Sequence, residues 1–155
     1  MKRILLFFVS PVLFAATPQY QSHDITVSAA SSDEPMLKAF SLTKANDYLE
    51  KGAIAWTRKR NCVTCHTTGT YMQIRPELTP FLGKPTLEIH DLLTDRLKEL
   101  SGLNKEQLDK GTNPAQMIYI AAGLAEWDRH VGKKLSVQTK AALSLMLENQ
   151  KESGT

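Results

Sequence analysis

The chain has 155 residues, 42% hydrophobic and 23% charged, the balance of a single soluble globular domain. Two cysteines and eight glycines exclude a disulfide-dense miniature and a collagen-like fibre. Nineteen Lys and Arg against 16 Asp and Glu leave a formal charge of +3, mild and dispersed, which provides no clustered basic face for nucleic acid.

Residues 1–16 read as a signal peptide. Met1-Lys2-Arg3 is a short basic start, and the almost wholly apolar stretch of 13 residues that follows it is shorter than the roughly 20 needed to span a membrane as a helix. Cleavage is expected after Ala15 or Ala16, giving an exported protein, periplasmic or otherwise extracytoplasmic, with no stable membrane anchor once the peptide is gone. Loss of Lys2 and Arg3 leaves the remaining chain nearly neutral. Residues 17–40 are rich in Ser, Asp and Gln, have no sustained period, and are expected to form an extended or disordered leader.

The domain proper is expected over residues 41–155. From Ser41, the apolar residues Leu42, Ala45, Leu49, Ala53 and Trp56 recur at three- and four-residue steps, predicting an amphipathic helix that ends in a solvated Arg58-Lys59-Arg60. Residues 61–83 hold Gly69, Pro76, Pro80 and Gly83 and are expected to be a shaped loop. Pro85 and Thr86 open a second helix reaching Leu100. A third begins after an expected N-cap at Asn113, with Pro114 in the first turn, and ends at Trp127; a fourth follows Ser136 from Val137 to Asn149. No useful β-alternation appears, so the fold class is all-α with four main helices.

One motif carries chemistry: Cys62-Val63-Thr64-Cys65-His66, which uses both cysteines of the chain. Two thiols in C-x-x-C-H spacing each add across one vinyl group of a haem, and the adjacent imidazole then supplies the proximal iron ligand. The competing uses of the pair fit less well. A thioredoxin-like pair requires a βαβ setting, zinc requires two more ligands near by, and a structural disulfide leaves the histidine unexplained. His90 and His130 lie 24 and 64 residues beyond His66.

The surrounding sequence resembles class I c-type cytochromes. Gly52-x-x-x-Trp56 is similar to the glycine-and-aromatic pair by which the first helix of that family crosses the last. Arg75-Pro76-Glu77-Leu78 followed by Gly83 is similar to the family's Gly-Pro-x-Leu loop, with Arg75 replacing the glycine. The resemblance implies a cytochrome c-like helical domain around one covalent haem c. It also implies that the Pro76 carbonyl accepts the Nδ1 hydrogen of His66. For the sixth ligand it points to a methionine before the last helix. Met117 is the first candidate and His130 the next, an open position stays in play, and Met72 belongs on the proximal side. Trp56, Leu78, Phe81 and Leu82 are expected around the haem.

Residues 139–155 are similar to the helix and Q-x-x-(D/E)-G-(S/T) turn that open a repeat in squalene-cyclase and prenyltransferase toroids. Residues 62–85 and 122–135 are similar to the haem-bearing segment of bacterial squalene-cyclase-like proteins. The expected function is one-electron transfer through the haem iron, with redox proteins as partners and no catalytic residues of the chain's own. Two alternatives stay open: a haem-bearing accessory domain fused to or associated with a toroid-type α-helical domain, and a haem sensor or peroxidase with an open sixth position.

Overall fold

A computed structural model describes residues 18, 20–36, 38–61, 63 and 67–153. The expected signal peptide and the motif residues Cys62, Cys65 and His66 lie outside the described residues, as do the last two positions of the chain.

Helix α1 spans Leu42–Arg60, with the Ser41 hydroxyl accepting the Lys44 amide at its start and Asn61 in the left-handed region at its end. Helix α2 (Thr68–Ile74) continues through one 3₁₀ turn (Arg75–Leu78) into the short α3 (Thr79–Leu82). Helix α4 covers Leu87–Ser101, capped by Thr86. The one-turn α5 (Lys105–Leu108) is closed by a reciprocal capping box between Asn104 and Gln107. Helix α6 (Asn113–Trp127) runs into a π turn (Asp128–Gly132), and α7 (Val137–Glu148) begins where the Ser136 hydroxyl accepts the Thr139 amide. The four long helices expected from periodicity are therefore α1, α4, α6 and α7, and the described chain is mostly helical.

Helix α6 is the centre of the fold. Its sequence is apolar on nearly every side, and Met117, Ile120, Ala121, Leu124 and Trp127 are all buried. It packs against α2, α4 and α7, and the core joins Met72 from α2 with Ile89, Leu93 and Leu97 from α4. A close approach falls at Gly123, where an added Cβ would sit 2.9 Å from both Met72 Cβ and Leu93 Cδ2. The sequence reading placed the close-packing glycine at Gly52. In the structure α1 instead packs on α2, α4 and the N-terminal hairpin, while α7 packs on α6 and α4.

Three further expectations change. The leader contains an antiparallel hairpin, β1 (Tyr20–Ser22) and β2 (Ile25–Val27), with Tyr20 paired to Val27 and His23 taking a positive φ in the turn. Two three-residue strands are too short to give a detectable alternation; this pair is held by packing on α1, where Val27 is buried. Within the expected loop 61–83, residues 68–82 are helical, because Pro76 and Pro80 each fall in the first turn of a new segment, where no amide hydrogen is required. Thr112, not Asn113, is the N-cap of α6; the Asn113 side chain accepts from Arg96 Nη2 at 3.0 Å and donates to the Gln107 carbonyl at 3.0 Å.

The basic end of α1 is also more than a solvated terminus. Arg58 pairs with Glu88 at 2.6 Å and lies 3.6 Å from Asp24, so it joins α1 to the start of α4 and to the hairpin turn. The Arg60 guanidinium lies over the Trp56 ring, 5.3 Å from its centroid.

Candidate functional site

The segment 62–66 is a five-residue link between two helix ends that are fixed to each other. At the α1 end, Asn61 takes φ 49° and donates to the Thr57 carbonyl at 2.6 Å, which turns the chain sharply out of the helix. At the α2 end, the buried hydroxyl of Thr68 meets the buried hydroxyl of Thr57, and both face the Ala53 carbonyl. The middle of the link is tied to a third element: Gln116 Oε1, at the start of α6, accepts the Val63 amide at 3.3 Å. The same oxygen accepts Arg96 Nε at 2.9 Å, and Arg96 also holds Glu99 and Asn113. Gln116 is 2% exposed and its amide nitrogen donates to Thr112, so its orientation is fully determined.

A cleft of about 270 Å³ opens between α1 and α2. Its walls are mainly apolar, with Ala45, Leu49 and Gly52 from α1 facing Tyr71, Ile74 and Leu78. Thr67, the residue after the motif, lines one part of it, and Arg75 lines another. Leu49 and Ile74 are both more than half exposed, so the rim presents apolar surface to solvent. The Tyr71 hydroxyl donates to Glu50 Oε2 at 2.8 Å, and Asn46 donates to the same oxygen. Burial, reinforced by Glu50, drives the Tyr71 phenol far above its ordinary range, while Arg75 pulls in the opposite direction. Tyr71 therefore stays protonated.

Arg75 is 5% exposed. Its Nη2 donates to the carbonyls of Gly83 (3.0 Å) and Leu82 (3.4 Å), whereas Nε and Nη1 are buried with no hydrogen-bond partner among the described residues.

Other residues singled out in the sequence are distributed as follows. Leu78 lines the cleft, but Phe81 is 76% exposed. The Pro76 carbonyl accepts both the Thr79 amide and, at 2.6 Å, the Thr79 hydroxyl; its two lone pairs are engaged, and a bond from His66 would have to displace one of them. Met72 is fully buried against Gly123. Met117 is buried in the main core, one residue from Gln116, and does not line the cleft. His130 sits in the π turn with Nε2 3.1 Å from Glu126. His90 stacks near Trp127 at 4.6 Å and its Nδ1 lies 3.3 Å from Asp91.

Among the described residues no group of three or more His, Cys, Asp or Glu is arranged to hold a metal ion, and no described helix is long and apolar enough to cross a membrane. No known protein family, curated protein or solved structure matches the chain.

Proposed function

We propose that this protein is an exported, mono-haem c-type cytochrome domain that passes single electrons to and from partner redox proteins. What supports the reading is the C-x-x-C-H spacing of Cys62-Val63-Thr64-Cys65-His66 in the sequence, between α1 and α2, two helices whose ends meet and whose described residues line an apolar cleft. A covalently attached haem supplies a reversible one-electron iron couple. Cys62 and Cys65 are its thioether anchors and His66 its proximal ligand. Thr57, Thr68 and Gln116 hold the ends and the middle of the attachment segment, which limits the positions the imidazole takes and so the reorganisation that accompanies each electron. Ala45, Leu49, Gly52 and Leu78 supply apolar surface that excludes water from one side of the group.

The residues present fit such a group: the cleft is apolar, it begins at the residue after the motif, and it contains a buried cation with unused hydrogen-bond donors. For the sixth ligand Met117 stands on the resemblance alone, since it lies in the main core and lines no part of the cleft, His130 Nε2 already faces Glu126, and an open position is the third reading.

The test is expression of the full chain with haem c maturation machinery, followed by a haem stain after denaturing electrophoresis and by visible spectra with and without carbon monoxide. The expected result is haem that survives denaturation, is lost in Cys62→Ala/Cys65→Ala, and binds carbon monoxide slowly. Chain recovered without covalent haem overturns the reading; fast carbon monoxide binding leaves the haem but removes Met117 and His130 as ligands.

A further inference from the structure

The Arg75 guanidinium is a cation placed where a protein rarely leaves one. A buried ionic group is normally paired and its hydrogens used, because a charged donor taken out of water and left without a partner is strongly destabilising. Only Nη2 is used, on two backbone carbonyls that carry no net charge. Nε and Nη1 remain, two buried donors on different edges of the guanidinium, each able to donate a charge-assisted hydrogen bond to an anionic oxygen. The ionisable groups around the guanidinium do not neutralise it by contact. Tyr71 on α2 is held protonated, and Glu50 on α1 is committed to the Tyr71 hydroxyl and the Asn46 amide. Arg75 lines the α1–α2 cleft, whose apolar walls and exposed apolar rim accept a ligand with a largely hydrocarbon body. The cleft volume, about 270 Å³, lies just under the range of roughly 300–1,000 Å³ in which proteins enclose small ligands, so the rim has to complete the site.

We propose that Arg75 is the binding residue for a carboxylate carried on an apolar ligand in this cleft, and that the carboxylate is a haem propionate. The identification of the ligand rests on the haem reading above; the carboxylate chemistry does not. Helix α2 separates Thr67 from Arg75 by eight residues, roughly 12 Å at 1.5 Å per residue. A porphyrin bears its vinyl-derived attachments and its propionates on opposite halves of the ring, so a haem held at Cys62 and Cys65 would turn its carboxylates away from those residues.

The test uses the full chain, wild type and with Arg75→Gln or Arg75→Lys. In the haem-loaded protein the midpoint potential is measured from pH 5 to 8, together with redox-difference infrared spectra of the carboxylates. The expected wild-type result is a propionate ionised throughout. Arg75→Gln lowers the potential at pH 8 and makes it pH-dependent, and Arg75→Lys keeps the wild-type profile; a merely structural arginine would change stability and leave the profile alone. A protonated propionate band in wild type near pH 6 overturns the proposal even if Arg75→Gln fails to fold, and an unchanged profile in folded Arg75→Gln overturns it while leaving the haem reading intact. If no haem attaches, the same chains are titrated with sodium laurate by calorimetry. Binding that falls tenfold or more in Arg75→Gln supports a free carboxylate ligand in place of haem. No binding, or equal binding by the variant, overturns the proposal.

Discussion

Replacing Gly123 by alanine tests the central packing claim. The new Cβ would lie 2.9 Å from Leu93 Cδ2 and from Met72 Cβ, nearer than non-bonded carbons approach. Leu93 Cδ2 is the end of a flexible side chain and retreats at modest cost. Met72 Cβ is attached directly to the α2 backbone, so relief there means moving α2 away from α6. Because the α2 backbone has to move, the overpacking cost falls in the upper part of the usual range, about 2–3 kcal/mol, and the higher helix propensity of alanine returns about 1. The net expectation is a loss of about 1–2 kcal/mol, read as a lower urea midpoint at unchanged slope or a fall of roughly 3–8 °C in Tm. Adding Leu93→Ala to this background relieves one contact and opens a cavity, so it does not restore stability. Gly102 is the control: a Cβ there meets nothing closer than the Glu99 carbonyl at 3.5 Å, and Gly102→Ala stays within about 0.5 kcal/mol. A Gly123→Ala chain as stable as wild type, or more stable, would refute the close approach of α6 to α2.

Two further outcomes follow from the site and its supports. Gln116→Leu removes the acceptor of the Val63 amide and of Arg96 Nε, and is expected to cost about 2–3 kcal/mol in denaturant unfolding and to speed hydrogen exchange at Val63; unchanged exchange there would dissociate α6 from the attachment segment. For Asp128, burial raises the pKa, but the Ser136 amide at 2.6 Å, the Thr139 and Ser136 hydroxyls and the nearby His90 outweigh it and hold the carboxyl below its ordinary value of 3.8. A depressed folded-state pKa stabilises the fold above the unfolded value and loses that stabilisation as pH falls through the folded one. Asp128→Asn is therefore expected to be less stable than wild type by about 1–2 kcal/mol at pH 7, the difference closing below about pH 4; a gap that persists unchanged into acid would contradict this.

The helices were legible because each signal is local. Ser41, Thr86 and Ser136 mark helix starts by their own side chains, and the three- and four-residue spacing of apolar residues marks the buried faces. The hairpin at 20–27 was not legible, since three-residue strands carry no period and are held by α1. Residues 61–83 were misread for a related reason: Pro76 and Pro80 are helix breakers in an interior but compatible with a first turn, and which applies depends on where the previous segment ends.

The site divides in the same way. Cys62, Cys65 and His66 stand out by spacing alone, because the proposed haem attachment would need its groups adjacent in the chain. Gln116 lies 53 residues from the Val63 amide it accepts, and no local pattern separates it from a solvated glutamine. Arg75 stood out in sequence only as a departure from a family glycine; its meaning comes from burial beside an apolar cleft. Gly123 sits in an apolar helical run with no distinguishing neighbour, and only the positions of Met72 and Leu93 make its missing side chain necessary.

The sequence by itself thus determined the helical class and most helix ends, and it holds the C-x-x-C-H spacing on which the proposed function rests, all matters of groups within a few residues of one another. The tertiary structure decided that α6 is the hub, that α1 and α2 make the cleft, and that Arg75 is a buried cation with donors to spare. Each of these depends on surfaces far apart in the chain, whose meeting is set by volume and by the cost of burying polar groups unpaired.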